Sequence, residues 1–348
     1  MARVSIVVGA YNAAAFIDAT IASILAQTYR DFELIVVDDA SSDATVERVA
    51  AFGDPRIRVI RNPTNIGVAN TRNVGVDAAS GEYLAMNDHD DLSLPTRLER
   101  QVEFLDERRD VLLAATGIYS LRDRKRTAEE MPPSAHHVLR WRLMTHSPVC
   151  HSSICVRLAE MRRAALRYDP SCDFGDDFDL YHRTADAGRI ATLQARLVVY
   201  RWHANNASYL RNAEMNARGA RMLKRAHENY LGLRLDDEAF DALWRVFTTF
   251  APAPSQQELR AAGHTLATLL ARYVAVMKLE RSEREDVERS ASRQWWQAIS
   301  RSAGTLGAAA FSEFGRTQAV SRFPPPFAQR LRSRLSWRAR RLLAGSAG

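Results

Sequence analysis

Phe32-Glu33-Leu34-Ile35-Val36-Val37-Asp38-Asp39-Ala40-Ser41-Ser42-Asp43 is the stretch on which the fold turns. Leu34 to Val37 is an unbroken apolar run, too short for a core helix, so it reads as a strand covered on both faces. It stops in acids and serines, and Ser42 or Asp43 is placed to cap a helix starting near Ala44. The same order recurs on either side. Val4 to Val8 is an apolar run ended by Gly9-Ala10-Tyr11-Asn12. Phe16, Ile17, Ile21, Ile24 and Leu25 then recur at helical spacing between Ala13 and Gln27. Ile57 to Ile60 reads as a third strand and Val68 to Ala79 as a helix. Tyr83 to Met86 is a fourth strand, running into Asn87-Asp88-His89-Asp90-Asp91. Alternating strands and helices predict an α/β fold with a doubly wound, mainly parallel sheet flanked by helices. Ligands on such sheets sit beyond the carboxyl ends of the strands. Tyr11-Asn12, Asp38-Asp39 and Asp88 to Asp90 all fall there.

Composition narrows the class. The chain has 348 residues, long for one domain, and 46% are apolar, which supports a buried core. Much of the net charge of +7 is local. Arg322, Arg330, Arg332, Arg334, Arg338, Arg340 and Arg341 lie beyond the last acidic residue, Glu313. Charge concentrated in a tail suits a docking element, and no nucleic-acid partner is expected. Cys150, Cys155 and Cys172 are three cysteines without paired spacing, which excludes a disulfide framework or a zinc site and suits buried thiols in a reducing compartment. The N-terminus enters a strand at once and no apolar run approaches bilayer length, so a cytoplasmic protein, peripheral on the inner face of the membrane at most, is expected.

Downstream, Thr96 to Glu107 reads as a helix, Leu112 to Ser120 as a strand and Arg122 to Ala135 as a polar loop. A helical stretch around Trp141, a strand from Ser152 to Val156, an acidic turn at Gly175-Asp176-Asp177, a helix to Ala187 and a strand from Leu197 to Trp202 follow. From about Asn212 the pattern is helical, with breaks at Ala251-Pro252-Ala253-Pro254-Ser255 and Phe323-Pro324-Pro325-Pro326-Phe327. The expected division is therefore 1–95, 96–210, a helical extension over 211–322 and a basic tail over 323–348. Leu331, Leu335, Trp337 and Leu342 among the tail's arginines suit an amphipathic helix on an anionic membrane. A solvated tail or a partner-binding helix fits the same residues.

Asp88 and Asp90 at a strand end can hold a hard divalent cation, which takes oxygen ligands together with substrate phosphates. An Asp-rich turn capping the next helix, with Pro95 in its first turn, accounts for the same residues. The surrounding segments separate the two. Val4 to Asn12, Ser23-Ile24-Leu25-Ala26-Gln27-Thr28-Tyr29, Phe32 to Asp43, Asn65-Ile66-Gly67-Val68-Ala69 with Thr71-Arg72-Asn73, and Gly81-Glu82-Tyr83-Leu84 before the acids occur in one order. Together they resemble the family 2 glycosyltransferases of GT-A fold over about residues 3–210.

That resemblance implies a nucleotide-sugar donor, a UDP-sugar in the first instance, and a glycan or lipid-linked glycan acceptor. It also implies Mg²⁺ or Mn²⁺ and transfer with inversion. It places Tyr11, Asn12, Asp39, Arg72 and Asp88 at the donor, with Asp39 reading a uracil-type edge. It places Asp88 and Asp90 at the metal, Asp90 the closer. Gly175-Asp176-Asp177 resembles the family's Glu-Asp motif, so Asp177 is the general base expected and Asp176 its alternative. Tyr200-Arg201-Trp202-His203 resembles the family's terminal histidine motif, so His203 is expected at the metal or the diphosphate. His89 receives no role and Asp179 a structural one. Two departures stand out: Gly9-Ala10 replaces the usual Pro-Thr, and Asp176 shortens one carboxylate arm. Arg140-Trp141 precedes the base instead of following it, unlike processive synthases, so single addition is expected. The competing readings are a non-catalytic nucleotide-binding scaffold on a decayed fold and a nucleotidyltransferase. The latter lacks its glycine-rich basic loop after the first strand.

Overall fold

The computed structural model describes residues 2–172, 175–204, 206, 212–324 and 326. The basic amphipathic helix expected beyond Arg330 lies outside them. Residues up to Leu139 together with Ser147–Met222 form one compact unit; Arg140–His146 and the chain from Leu223 form another.

The first unit is built on β1 (Val4–Ala10), β2 (Phe32–Asp38), β3 (Ile57–Arg61) and β4 (Tyr83–Asp88). They pair in the order β3-β2-β1-β4, every pair parallel. β1, β2 and β4 are almost wholly buried, which is why they read as continuous apolar runs. β3 is the edge, with Arg58 and Arg61 exposed, so its pattern is weaker. Each buried Val, Ile or Leu contributes about 2 kcal/mol of transfer free energy, and the cluster of Ile6, Val8, Leu34, Val36 and Ala85 joins the sheet to helix α1 (Ile17–Leu25). The helix expected from Ala13 starts later because Ala13 to Phe16 form a turn, with the Phe16 and Ile17 N–H groups donating to the Ala13 carbonyl. Asp43, expected as a cap, accepts from the Thr45 N–H at the start of α2 (Thr45–Ala50) and from the Ala14 N–H, so it also ties the β1 and β2 loops together.

Helix α3 (Val68–Ala78) packs on β1 with no room to spare. A Cβ on Gly75 would lie 2.3 Å from Val7 Cγ1.

After β5 (Leu92–Ser93) and α4 (Arg97–Glu107), the sheet continues through β6 (Val111–Arg122), β8 (Cys155–Arg157) and β9 (Arg189–Arg201). β8 is antiparallel to both β4 and β6, and β9 runs parallel to β6 and antiparallel to β5. β9 is longer than the strand read from Leu197. The loop expected over Arg122 to Ala135 instead contains β7 (Lys125–Ala128), folded back on β6 through Asp123 and Arg124, both at positive φ. All of β7 is exposed, so no apolar period marks it. Helices α5 (His136–Leu143) and α6 (Leu158–Arg163) follow, and α7 (Asp176–Ala187) precedes β9. Cys155 and Cys172 are buried and Cys150 half-buried, all as free thiols.

The second unit is helical, with α8 (Asn212–Leu231) running into it, α9 (Asp237–Leu243), α10 (Gln256–Met277), α11 (Arg281–Leu306) and α12 (Ala309–Arg316). Ser255 caps α10 by accepting from the Glu258 N–H, as the Pro-Ser break suggests. Trp141, at the end of α5, is part of this core. Its Nε1 donates to Gln294 Oε1 at 2.7 Å and its ring meets Tyr273 edge-on at 5.5 Å. Among the described residues, no helix is long and apolar enough to cross a membrane.

Candidate active site

The carboxyl ends of β1, β2 and β4 carry the site's first residues. Tyr11 is half exposed at 49%, and Asn12 sits at φ 49°. Asn12 binds the β2 loop from both directions: its N–H donates to Ser41 Oγ, and its Oδ1 accepts from the Ser42 N–H. Ala40, at φ 60°, is a second left-handed non-glycine residue on this rim, where strained conformations commonly mark functional sites. Asp39 is buried and accepts from Asn62 Nδ2 and the N–H groups of Ile66 and Gly67 at 2.9, 2.9 and 3.0 Å. Those bonds fix the entry to α3. Gly67 has φ 86°, where a side chain would be strained. Three of the four acceptor positions of Asp39 are thereby used.

Arg72, on the second turn of α3, joins parts of the chain that are remote in sequence. Its Nη1 donates to Asp176 Oδ2 at 2.8 Å and its Nη2 to Asp88 Oδ1 at 3.0 Å. The guanidinium also lies 5.5 Å from the Tyr168 ring centroid. Against the cost of its burial, the charges of Asp176 and Asp88 hold it protonated well above the usual arginine range. Asp88 also meets His151 Nδ1 at 3.0 Å and Ser152 Oγ at 3.2 Å. A carboxylate only accepts, so His151 Nδ1 carries a proton, and its Nε2 meets the Tyr168 hydroxyl at 2.9 Å. Burial pushes the Asp88 carboxyl up, but His151 and Arg72 outweigh it and hold Asp88 well below the usual carboxylate range.

Asp90 turns the other way. Its Oδ2 lies 3.0 Å from His203 Nε2 and accepts from Asn206 Nδ2 at 3.2 Å. The His203 ring stacks on Phe16 at 4.0 Å, and its Nδ1 is buried with no hydrogen-bond partner among the described residues. Adjacent ligands of an octahedral cation at about 2.0–2.1 Å stand roughly 3.0 Å apart. The Asp90–His203 spacing, which is also that of a direct hydrogen bond, is compatible with a divalent cation shared by the two. Asp88 is held by Arg72 and His151 in this structure. Among the described residues, a three-residue set of potential ligands within 4.8 Å of one another lies elsewhere, at Asp169, Cys172 and Asp179. There Arg183 already occupies Asp179 through a salt bridge, in keeping with a structural role.

At the start of α7, Asp176 and Asp177 have different surroundings. Asp176 is 2% exposed and bound to Arg72. Asp177 is half-buried, has no cation in salt-bridge contact among the described residues, and accepts the Phe178 N–H. Burial and the neighbouring Asp176 charge push its carboxyl up, against the weaker pull of Arg72 and His151. A carboxylate raised in this way, open on one side, is suited to accept a proton.

Residues 5–164 match the family described as Glycosyl transferase family 2. Those residues, a little under half of the chain, therefore carry a family 2 glycosyltransferase domain. A glycosyltransferase of Haemophilus influenzae is 28% identical over 238 residues, 65% of this chain and 73% of the relative. The Escherichia coli UDP-Glc:alpha-D-GlcNAc-diphosphoundecaprenol beta-1,3-glucosyltransferase WfgD is 42% identical over 102 residues, 29% of this chain and 40% of that protein. In three dimensions, residues 1–349 of S. aureus TarS, crystallised with UDP-GlcNAc, superpose with a TM-score of 0.56 at 18% identity. The match covers 87% of this chain and 91% of that one, a likeness of GT-A fold.

Several residues of the candidate site carry no motif signal. His151 and Ser152 hold Asp88, Tyr168 holds His151 in turn, and Asn206 holds Asp90. Asp91 is fully buried, accepting from Ser152 Oγ and from the Arg201 N–H at 3.0 Å. Burial and the charges of Asp90 and Asp88 push its carboxyl well above the usual carboxylate range. Arg97 reads as a solvated helix residue but is 1% exposed, donating to Asn87 Oδ1, Ser93 Oγ and the Met86 and Ile154 carbonyls beneath the acids. Burial lowers it to about 10. His89 turns its Nδ1 toward the Gly9 carbonyl at 3.2 Å, away from its aspartate neighbours' partners.

Proposed function

We propose that this family 2 enzyme moves one sugar from a UDP-sugar to a hydroxyl of a glycan or lipid-linked glycan, with inversion, in cell-surface polysaccharide or glycoconjugate synthesis. One observation carries the reading. Arg72 bridges Asp88 and Asp176 and so leaves Asp177 as the carboxylate of the pair without an ion-pair partner. In the proposed reaction Asp177 accepts the proton of the acceptor hydroxyl. That oxygen bonds to the anomeric carbon as the bond from this carbon to the diphosphate breaks, and the nucleoside diphosphate departs. Tyr11, exposed at the rim, stacks on the base. Asp39 reads its uracil-type edge through the acceptor position that its loop contacts leave unused. Asn12 holds the β1 and β2 loops around the nucleotide, and Arg72, with Asp88, lies toward the diphosphate.

Asp90 and His203, with Asp88, would hold Mg²⁺ or Mn²⁺. Such an ion, when bound, neutralises the charge that develops on the leaving diphosphate. The relative WfgD, named for a UDP-glucose donor and a diphosphoundecaprenol acceptor, supports the same donor and acceptor classes here. A lipid-linked acceptor also suits a protein working peripherally on the cytoplasmic face of the membrane.

Calorimetric titration with UDP, with and without Mn²⁺, tests the assignment on wild type and Asp90→Ala. Metal-dependent binding that weakens at least about tenfold in the variant is expected. Equal binding without metal, untouched by the substitution, would overturn it and favour a scaffold.

A further inference from the structure

We propose that the β6–β7 hairpin binds the anionic headgroups of a membrane surface, separately from the C-terminal tail. The inference does not depend on the assignment of the catalytic residues. Residues 122–130 are all exposed, and Arg122, Arg124, Lys125 and Arg126 crowd five positions with only Asp123 between them. Among the described residues none of these four cations has a carboxylate within 4.0 Å. In the same unit Arg3, Arg48, Arg56, Arg163 and Arg167 all sit in ion pairs. A cluster of four cations within five positions, none of them ion-paired among the described residues, has strong electrostatic reach.

The register decides what kind of partner fits. Arg122 pairs across the ribbon with Lys125, and Leu121 with Arg126. Cross-strand partners share a face, and successive residues alternate faces. Arg122 and Lys125 therefore occupy one face and Arg126 the other. Cations spread over both sides of a projecting ribbon cannot converge on one phosphate, but they suit an extended anionic surface met by the hairpin tip. Aromatic rings lie beside them, as at membrane interfaces. Arg126 lies 3.7 Å from the Tyr119 ring centroid and Arg122 4.8 Å from that of Trp202, which is 39% exposed. The Trp202 N–H donates to the Leu121 carbonyl at 2.9 Å, fixing this residue to the hairpin one position before His203. Contact there would bring the membrane surface close to the Asp90–His203 pair.

The test is co-sedimentation of the full chain with phosphatidylcholine vesicles, with or without phosphatidylglycerol. The variants are Arg124→Ser/Lys125→Ser/Arg126→Ser and Arg124→Lys/Arg126→Lys. Each cation near an anionic surface is worth about fivefold in partitioning, so the triple variant should bind roughly a hundredfold more weakly. Wild type should bind only the phosphatidylglycerol vesicles, lose binding in high salt, and be matched by the lysine variant. Unchanged binding by the triple variant overturns the proposal, the tail or another surface then being responsible. Loss of binding in the lysine variant overturns it in favour of a built phosphate site needing forked guanidinium contacts. Absence of wild-type binding overturns it outright. The substituted side chains are exposed, and an unchanged thermal midpoint with unchanged UDP binding confirms that the variants are folded.

Discussion

Arg72→Met removes the one cation that ties the β4 acids to those of α7. Its side chain is 13% exposed and makes charge-assisted bonds of 2.8 Å to Asp176 and 3.0 Å to Asp88. Such bonds contribute about 1.5–3 kcal/mol each, and removing one partner of a buried pair costs about 3–5 kcal/mol. Methionine keeps much of the apolar stem, so a loss of about 3–5 kcal/mol at pH 7 is expected. The loss should depend on pH. Asp88 is depressed in the folded state, so its ion pairing stabilises the fold above the ordinary carboxylate value and fades as pH falls toward its folded value. Asp177 is raised, so its charged form destabilises the fold near neutrality, and that penalty is relieved as pH falls. Losing Arg72 weakens the first effect and increases the second. The cost should therefore be largest at pH 7 and smaller at pH 4, where the raised Asp177 is being relieved while the Asp88 pairing has only begun to fade. Urea unfolding followed by far-ultraviolet circular dichroism at both pH values measures it. A cost under about 1 kcal/mol at pH 7, or one equal at both pH values, would refute the reasoning.

Two further outcomes follow from the packing and the buried acids. Asp91→Asn should change stability by no more than about 1 kcal/mol in thermal unfolding, because the surroundings of Asp91 disfavour its charge and asparagine keeps the acceptor for the Arg201 N–H. A loss above about 3 kcal/mol would mean that the charged form is native. Gly75→Ala should cost about 1–3 kcal/mol through its clash with Val7 Cγ1, and Val7→Ala in the same chain should recover part of that loss. Simple addition of the two single costs would place the strain elsewhere.

The parallel half of the fold is legible because β1, β2 and β4 are buried on both faces and end in polar clusters. A reader of apolar runs therefore meets the site at each strand end. The edge strand β3 is fainter, and β7 is invisible, since a fully exposed strand needs no apolar period and its turn uses Asp123 and Arg124 where glycine or asparagine would signal a hairpin. The acids themselves are visible in the pattern, but their partners are not. His151 meets Asp88 across 63 residues and Arg72 meets Asp176 across 104, distances at which local periodicity carries no information. Arg97 and Trp141 show the same limit. Each reads as an ordinary helix residue, and only tertiary packing buries the first beneath the acids and the second against Gln294. The inequivalence of Asp176 and Asp177 is likewise tertiary, since Arg72 reaches only the first of them with a salt bridge.

Turnover by Asp177→Asn and Asp176→Asn, measured against a panel of nucleotide sugars with product configuration read by nuclear magnetic resonance, bears most directly on the proposed reaction. With Asp177 as the proton acceptor, Asp177→Asn should lower kcat by about 10²–10⁴-fold while UDP binding is kept. Asp176→Asn should retain more turnover, and wild type should give the inverted anomer. Near-normal kcat in Asp177→Asn, or a retained anomeric configuration in the product, would contradict the account.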